Sequence, residues 1–167
     1  MPGGYRSRLT GRIYMKDWTP LDHDMMRRAL IQAQTALDEG EIPVGAVIVK
    51  NGQIIAEARN TRETRNDPTG HAELNVLREA AWVLGTWRMT GCTIYVTLEP
   101  CCMCASALMQ SRIDRVIFGA YDRQAGGCGS LYRLTEDPAF NHYAPADGGL
   151  MEADCIRLIN KALAAKR

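Results

Sequence analysis

Two short stretches constrain this chain more than anything else in it. His71-Ala72-Glu73 is followed, after 26 intervening residues, by Pro100-Cys101-Cys102-Met103-Cys104. One imidazole and two thiols make a three-ligand zinc set that leaves the fourth tetrahedral position for water. That open position separates a catalytic zinc from a closed structural one. A fold that uses these residues together must bring the starts of two separate helices to one point.

The details of spacing agree. Cys101 and Cys104 are three apart on an expected helix, so their side chains differ by about 60° around its axis and share a face. Cys102 points about 100° away from Cys101 and is excluded as a ligand on that ground. Both cysteines fall in the first turn after Pro100, where unpaired N–H groups and the helix dipole favour thiolate, the form zinc requires. His71 starts its own helix after Asp67-Pro68-Thr69-Gly70. Zinc lowers the pKa of water at its open position to about 7, and Glu73, two residues after the histidine, is the expected proton carrier for that water.

A C-x-x-C pair alone also fits a redox couple or half of a structural zinc site. A redox pair belongs early in a thioredoxin-like unit, and no such context surrounds Cys101. A structural zinc needs a fourth ligand. Cys92, Cys128, Cys155, His23 and His142 are available, but none lies in a motif at ligand spacing; buried thiols and surface histidines are their ordinary reading. One zinc per chain, held by His71, Cys101 and Cys104, is the expectation.

The 167 residues suit one globular domain with a real core. No apolar run approaches the ~18–20 residues needed to span a bilayer, and no apolar leader follows the N-terminus. Six irregularly spaced cysteines suit a metal site plus buried thiols better than a disulfide framework, so the cytoplasm is the expected compartment. The net charge is only +1, but it is unevenly spread. Residues 17–154 hold all 19 acidic residues against 12 basic ones. Residues 1–16 carry Arg6, Arg8, Arg12 and Lys16, and residues 155–167 carry Arg157, Lys161, Lys166 and Arg167, neither stretch with an acid. Basic arms of this kind can meet phosphate backbones, although solvated lysines at a helix end are commoner.

Along the chain, Thr19-Pro20 opens a helical pattern that reaches Gly40. Two apolar runs flank Asn51-Gly52, a strong hairpin signal. Residues 59–68 read as loop, and a second helix runs from His71 to about residue 82. A buried strand over 93–98, a helix over 101–111 and a strand over 115–120 form a parallel pair with a crossover. Residues 121–130 read as a glycine-rich loop, residues 137–149 as irregular, and 152–164 as the last helix. The expected fold is α/β, a three-layer α/β/α sandwich around a mixed central sheet.

Further stretches carry a resemblance. Pro43-Val44-Gly45-Ala46-Val47, Arg59-Asn60, Gly85-Thr86-Trp87-Arg88 and Tyr95-Val96-Thr97-Leu98-Glu99-Pro100-Cys101 resemble the bacterial tRNA-specific adenosine deaminases, within the cytidine deaminase-like superfamily. So do Cys104-Ala105, Ser111-Arg112-Ile113, Phe118-Gly119-Ala120, Asp122, Gly129-Ser130-Leu131 and Asn141-His142. The similarity runs from about Asp24 to the last helix. It implies a cytidine deaminase-like homodimer that converts the wobble adenosine of an arginine tRNA anticodon to inosine. It further implies that Asn60 binds the base and that Asp122 lies along the anticodon loop. Arg59, Arg62 and Arg65 would then add positive charge at the pocket rim, a solvated basic loop being the other reading of the same residues. The chain departs from the family at Lys161-Ala162-Leu163-Ala164-Ala165, where members often carry paired aromatics.

On this reading residues 1–16 are a basic, disordered extension, and 17–167 a single zinc-dependent deaminase domain. The zinc motif itself is shared with enzymes acting on free guanine, cytosine or nucleosides, which form the alternative. A zinc-binding module without turnover is a further class, and the intact Glu73 argues against it.

Overall fold

The computed structural model describes residues 5–6, 13–14 and 16–166; the extension expected over 1–16 therefore lies largely outside the described residues. Tyr5–Arg6 (β1) and Ile13–Tyr14 (β2) pair antiparallel. The remaining strands form one five-stranded sheet in the order β4-β3-β5-β6-β7, made of Gly45–Lys50 (β3), Gln53–Arg59 (β4), Cys92–Leu98 (β5), Arg115–Ala120 (β6) and Ala146–Gly148 (β7).

Sheet direction decides where function can sit. β3 is antiparallel to both β4 and β5, while β5, β6 and β7 are mutually parallel along the sheet. β4, β5 and β6 therefore all run the same way, and the chain leaves all three at one edge. Asn60 follows β4, Glu99 to Cys101 follow β5, and Asp122 follows β6. The carboxyl ends of parallel strands are where α/β sheets hold their ligands.

Period-two alternation splits the core between the two faces. Ala46, Ile48, Ile94, Val96, Val116 and Phe118 pack on one side with Ala72, Val76 and Ala80 of α2 (Ala72–Leu84) and Ala105 and Leu108 of α3 (Cys102–Gln110). Val47, Val49, Tyr95 and Ile117 point to the other, against Met25, Met26 and Ala29 of α1 (Pro20–Asp38) and Cys155 of α4 (Glu152–Ala165). The expected three-layer α/β/α sandwich with a mixed sheet is the observed fold.

Local signals account for the boundaries. Thr19 and Asp22 cap α1 reciprocally, the Asp22 N–H donating to Thr19 Oγ1 at 3.1 Å and the Thr19 N–H to Asp22 Oδ2 at 2.9 Å. Asp22 also accepts the Tyr95 hydroxyl at 2.8 Å, fastening this helix end to the central strand. Asn51 and Gly52 both take positive φ, 51° and 74°, as a tight hairpin turn requires. Gly45 is needed for closeness: a Cβ there would lie 2.0 Å from the Ala29 carbonyl oxygen of α1.

One expectation is corrected. Residues 137–149 are not wholly irregular, because residues 146–148 form β7 beside β6, with a 3₁₀ turn (Leu134–Glu136) just before the stretch. A three-residue strand containing Asp and Gly has too little alternation to be read from sequence.

Candidate metal centre and active site

His71 and Cys101 occupy the same station on two different helices. Each is the residue before the first helical one, His71 with φ −79° and ψ 148° before α2 and Cys101 with φ −70° and ψ 174° before α3. Side chains at that position usually turn inward to cap the helix. Neither does so here, and both are left to face each other. Cys101 thus precedes the helix that was expected to include it, and Cys104 sits in its first turn.

His71 Nδ1 lies 3.4 Å from Cys104 Sγ and 3.7 Å from Cys101 Sγ. All three donor atoms fall within 4.8 Å of one another. Tetrahedral zinc with ordinary Zn–N and Zn–S bonds would separate nitrogen from sulfur by about 3.6 Å. The two measured distances straddle that value, and two sulfurs with one imidazole are a donor set suited to zinc. The residues therefore fit the metal.

Glu73 is 4% exposed, in the first turn of α2. Burial pushes its carboxyl up to about 7, with Cys101 and His71 close enough for their charges to act on it. The hydrogen bond with the Cys104 side chain holds the Cys101 thiol down at about 4, and the same bond raises Cys104. His71 is raised, chiefly by its hydrogen bond with Cys101. Cys102, adjacent in sequence, is not among the converging donors.

Asn60 is 5% exposed and stands at the start of a loop closed by the Thr61 N–H donating to the Gly70 carbonyl at 2.8 Å. Since Gly70 precedes His71, the loop is tied directly to the metal ligand. Asp122 is placed differently. Its Oδ1 accepts the N–H groups of Gln124 and Ala125 at 3.0 and 3.1 Å, an Asx-type turn. It lines a groove of about 1030 Å³ with Pro43, Leu98, Ser130, Ile159 and Lys166, and none of His71, Glu73, Cys101, Cys104 or Asn60 borders that groove. The expected basic rim is also reduced. Arg59 is spent on a two-pronged pair with Glu39, at 2.7 Å on both oxygens, and Arg62 meets Glu63 at 3.2 Å.

Besides Asp22 at the start of α1, two buried carboxylates escaped the sequence reading. Glu99, 2% exposed, accepts the N–H groups of Asp122, Cys128 and Ser130. The loop it gathers is stitched to the metal helix by the Gly127 N–H donating to the Pro100 carbonyl at 2.7 Å. A charged residue closing the apolar run before Pro100 was the available signal. Glu41, also 2% exposed, accepts from Asn60 and Thr64; nothing in its sequence surroundings marks it.

The sequence pattern of the cytidine and deoxycytidylate deaminase zinc-binding region matches residues 19–120. The tRNA-specific adenosine deaminase of Bacillus subtilis is 48% identical over 134 residues, covering 80% of this chain and 83% of that protein. A structure from work on A-to-I editing by tRNA:A34 deaminases at the wobble position superposes with a TM-score of 0.78 at 39% identity, over 81% of this chain and 98% of the other. A guanine deaminase from Bacillus subtilis is similar over less of the fold, with a TM-score of 0.59 at 40% identity over 64% of this chain and 69% of the other. The converging His71, Cys101 and Cys104 and a similarity that spans about four-fifths of the chain agree: this chain belongs to the tRNA-specific adenosine deaminase family.

Proposed function

We propose that this protein hydrolytically deaminates adenosine to inosine at the wobble position of a tRNA anticodon. The observation that carries the reading is the convergence of His71, Cys101 and Cys104 beside a buried Glu73, in a chain that is similar to the tRNA enzymes over about four-fifths of its length. His71 Nδ1 and the two Sγ atoms would hold one zinc ion. When bound, that zinc supplies the Lewis acidity that makes water a nucleophile near neutral pH.

Glu73 does the proton work. Its carboxylate takes a proton from the attacking water and delivers it to the ring nitrogen N1 as the C6–O bond forms. It then carries the second proton to the exocyclic nitrogen as the C6–N bond breaks, so adenosine and water become inosine and ammonia. Burial keeps solvent from competing for these protons. Asn60 would meet the base, since a carboxamide both donates and accepts at a purine edge. Asp122 would act farther out, along the groove, where nucleotides flanking the target lie.

The domain is taken as residues 17–167, acting on an arginine tRNA in the cytoplasm, with the anticodon loop unstacked so that one base can enter. Among the described residues no helix is long and apolar enough to cross a membrane. A homodimer is proposed through the outer face of α2 and α3. Trp82 of α2 is 84% exposed, and Val83 of α2, Met103 of α3 and Trp87 just beyond α2 are also exposed; large uncovered apolar side chains are more typical of an interface than of a free face. Inosine formation on an anticodon stem-loop tests the activity, and sedimentation of the wild type against Trp82→Glu tests the dimer.

A further inference from the structure

The Asn60 carboxamide has two orientations of nearly equal shape, which present opposite hydrogen-bonding groups outward. Its surroundings choose between them. Asn60 Nδ2 donates to Glu41 Oε2 at 3.1 Å, and the other oxygen of the same carboxylate, Oε1, accepts the Thr64 N–H at 2.7 Å. Burial of Glu41 works against its charge, yet the N–H groups of Thr64 and Glu63 outweigh this and hold its carboxyl below the ordinary glutamate range. An ionised carboxylate can only accept, so the NH₂ end of Asn60 must face it. Among the described residues Oδ1 takes no hydrogen bond from a protein group, and the second Nδ2 hydrogen is likewise uncommitted.

We propose that Glu41 is a positioning residue: through Asn60 Nδ2 it fixes the amide in one of its two orientations, and so sets which purine edge the pocket reads. This rests on the reading that Asn60 meets the base. Glu41 touches no substrate in this account and acts only through Asn60. The arrangement is specific because the same carboxylate ties both ends of a five-residue turn, Asn60 and Thr64. Thr61, inside that turn, is bonded to the carbonyl before His71. The amide is therefore set in orientation and in distance from the metal ligands by one buried group.

Glu41→Gln exposes this cleanly because shape is kept and one acceptor becomes a donor. The single remaining oxygen satisfies the Thr64 N–H, and the new NH₂ then confronts Asn60 Nδ2. Two donors cannot pair. Asn60 therefore turns over, accepts the introduced NH₂ on its Oδ1, and shows its own NH₂ where the acceptor had been.

The experiment is a double-mutant cycle of Glu41→Gln and Asn60→Ala, reading kcat/KM for inosine formation on an anticodon stem-loop, with zinc content and Tm measured for each variant. Glu41→Gln is expected to lower kcat/KM about tenfold, the size of one hydrogen bond's worth of discrimination. Zinc content should stay at the wild-type level. In the Asn60→Ala background the same change should cost little or nothing, because the group it orients is gone. Losses that multiply would make Glu41 a general structural support and overturn the proposal, as would wild-type kcat/KM in Glu41→Gln alone. An Asn60→Ala variant at wild-type kcat/KM would instead overturn the prior reading that Asn60 meets the base, and the proposal with it. Should the Glu41→Gln variant not fold, Glu41→Asp enters the same cycle, since it keeps the charge but withdraws the oxygens by one methylene; the same coupling is expected.

Discussion

Glu99 and Ser130 are joined twice: the Ser130 N–H donates to Oε1 at 2.8 Å, and its hydroxyl donates to Oε2. The same carboxylate takes the Asp122 N–H at 3.0 Å and the Cys128 N–H at 3.1 Å, so a single buried anion organises the loop over 122–130. Residues of that loop line one wall of the groove that Asp122 borders. Hydrogen bonds to a charged group are the strong ones, and leaving their donors unpaired in the interior is costly.

Glu99→Gln should accordingly lose about 2–3 kcal/mol of stability, because one acceptor oxygen is replaced by a donor facing other donors. Urea denaturation gives the size of the loss. Hydrogen exchange should localise it, with faster exchange over 122–130 and little change in α1. A variant of wild-type stability would mean that the loop holds itself.

Gly45→Ala should destabilise by about 2 kcal/mol through overpacking. The added carbon would lie 2.0 Å from the Ala29 carbonyl and 2.6 Å from the Ala33 nitrogen, both backbone atoms of α1 that cannot swing aside. Gly52→Ala offers a contrast, since nothing lies within 4 Å of a Cβ there and its cost is confined to the positive φ. Thermal unfolding of the two should separate steric cost from conformational cost.

The metal centre makes a sharp prediction about neighbouring cysteines. Replacing His71, Cys101 or Cys104 by Ala should abolish stoichiometric zinc, while Cys102→Ser should retain it. Elemental analysis of the purified variants reads this directly. Stripping zinc with a chelator should lower Tm, because a ligand bound only by the folded state adds its binding energy to stability. Zinc lost with Cys102→Ser, or kept with Cys101→Ala, would contradict the ligand assignment.

Much of the arrangement was legible in the chain before its folding was known. Thr19-Pro20 marked the start of α1, Asn51-Gly52 the hairpin, and the β-branched runs the central strands, since each is a local signal. The convergence of His71, Cys101 and Cys104 was legible because metal chemistry restricts both residue type and spacing. What stayed hidden depends on long-range contact. Glu41 and Glu99 look like ordinary acids until the fold turns backbone N–H groups of distant segments toward them. Arg59 looked like free charge until Glu39, twenty positions earlier, came alongside. The turn that Asp122 builds, its Oδ1 accepting from Gln124 and Ala125, is likewise a feature of the folded loop.

Glu73→Ala should keep the fold and the zinc while losing turnover. General acid–base groups contribute about 10²–10⁴-fold, and this one handles two proton transfers, so the fall in kcat should reach at least that range. Circular dichroism and zinc content establish that the fold and metal survive. A variant with wild-type kcat would remove Glu73 from the reaction, and one without zinc would make it a support of the metal site.

The identity of the substrate is decided by a single side-by-side assay. The zinc-loaded protein is incubated with an adenosine-containing anticodon stem-loop, free adenosine, free guanine and free cytosine, and deaminated product is quantified over time. Rapid inosine formation is expected on the stem-loop, with little or no product from the free compounds, because flanking nucleotides supply much of the recognition. Rapid deamination of free guanine or cytosine with none on the stem-loop would contradict it.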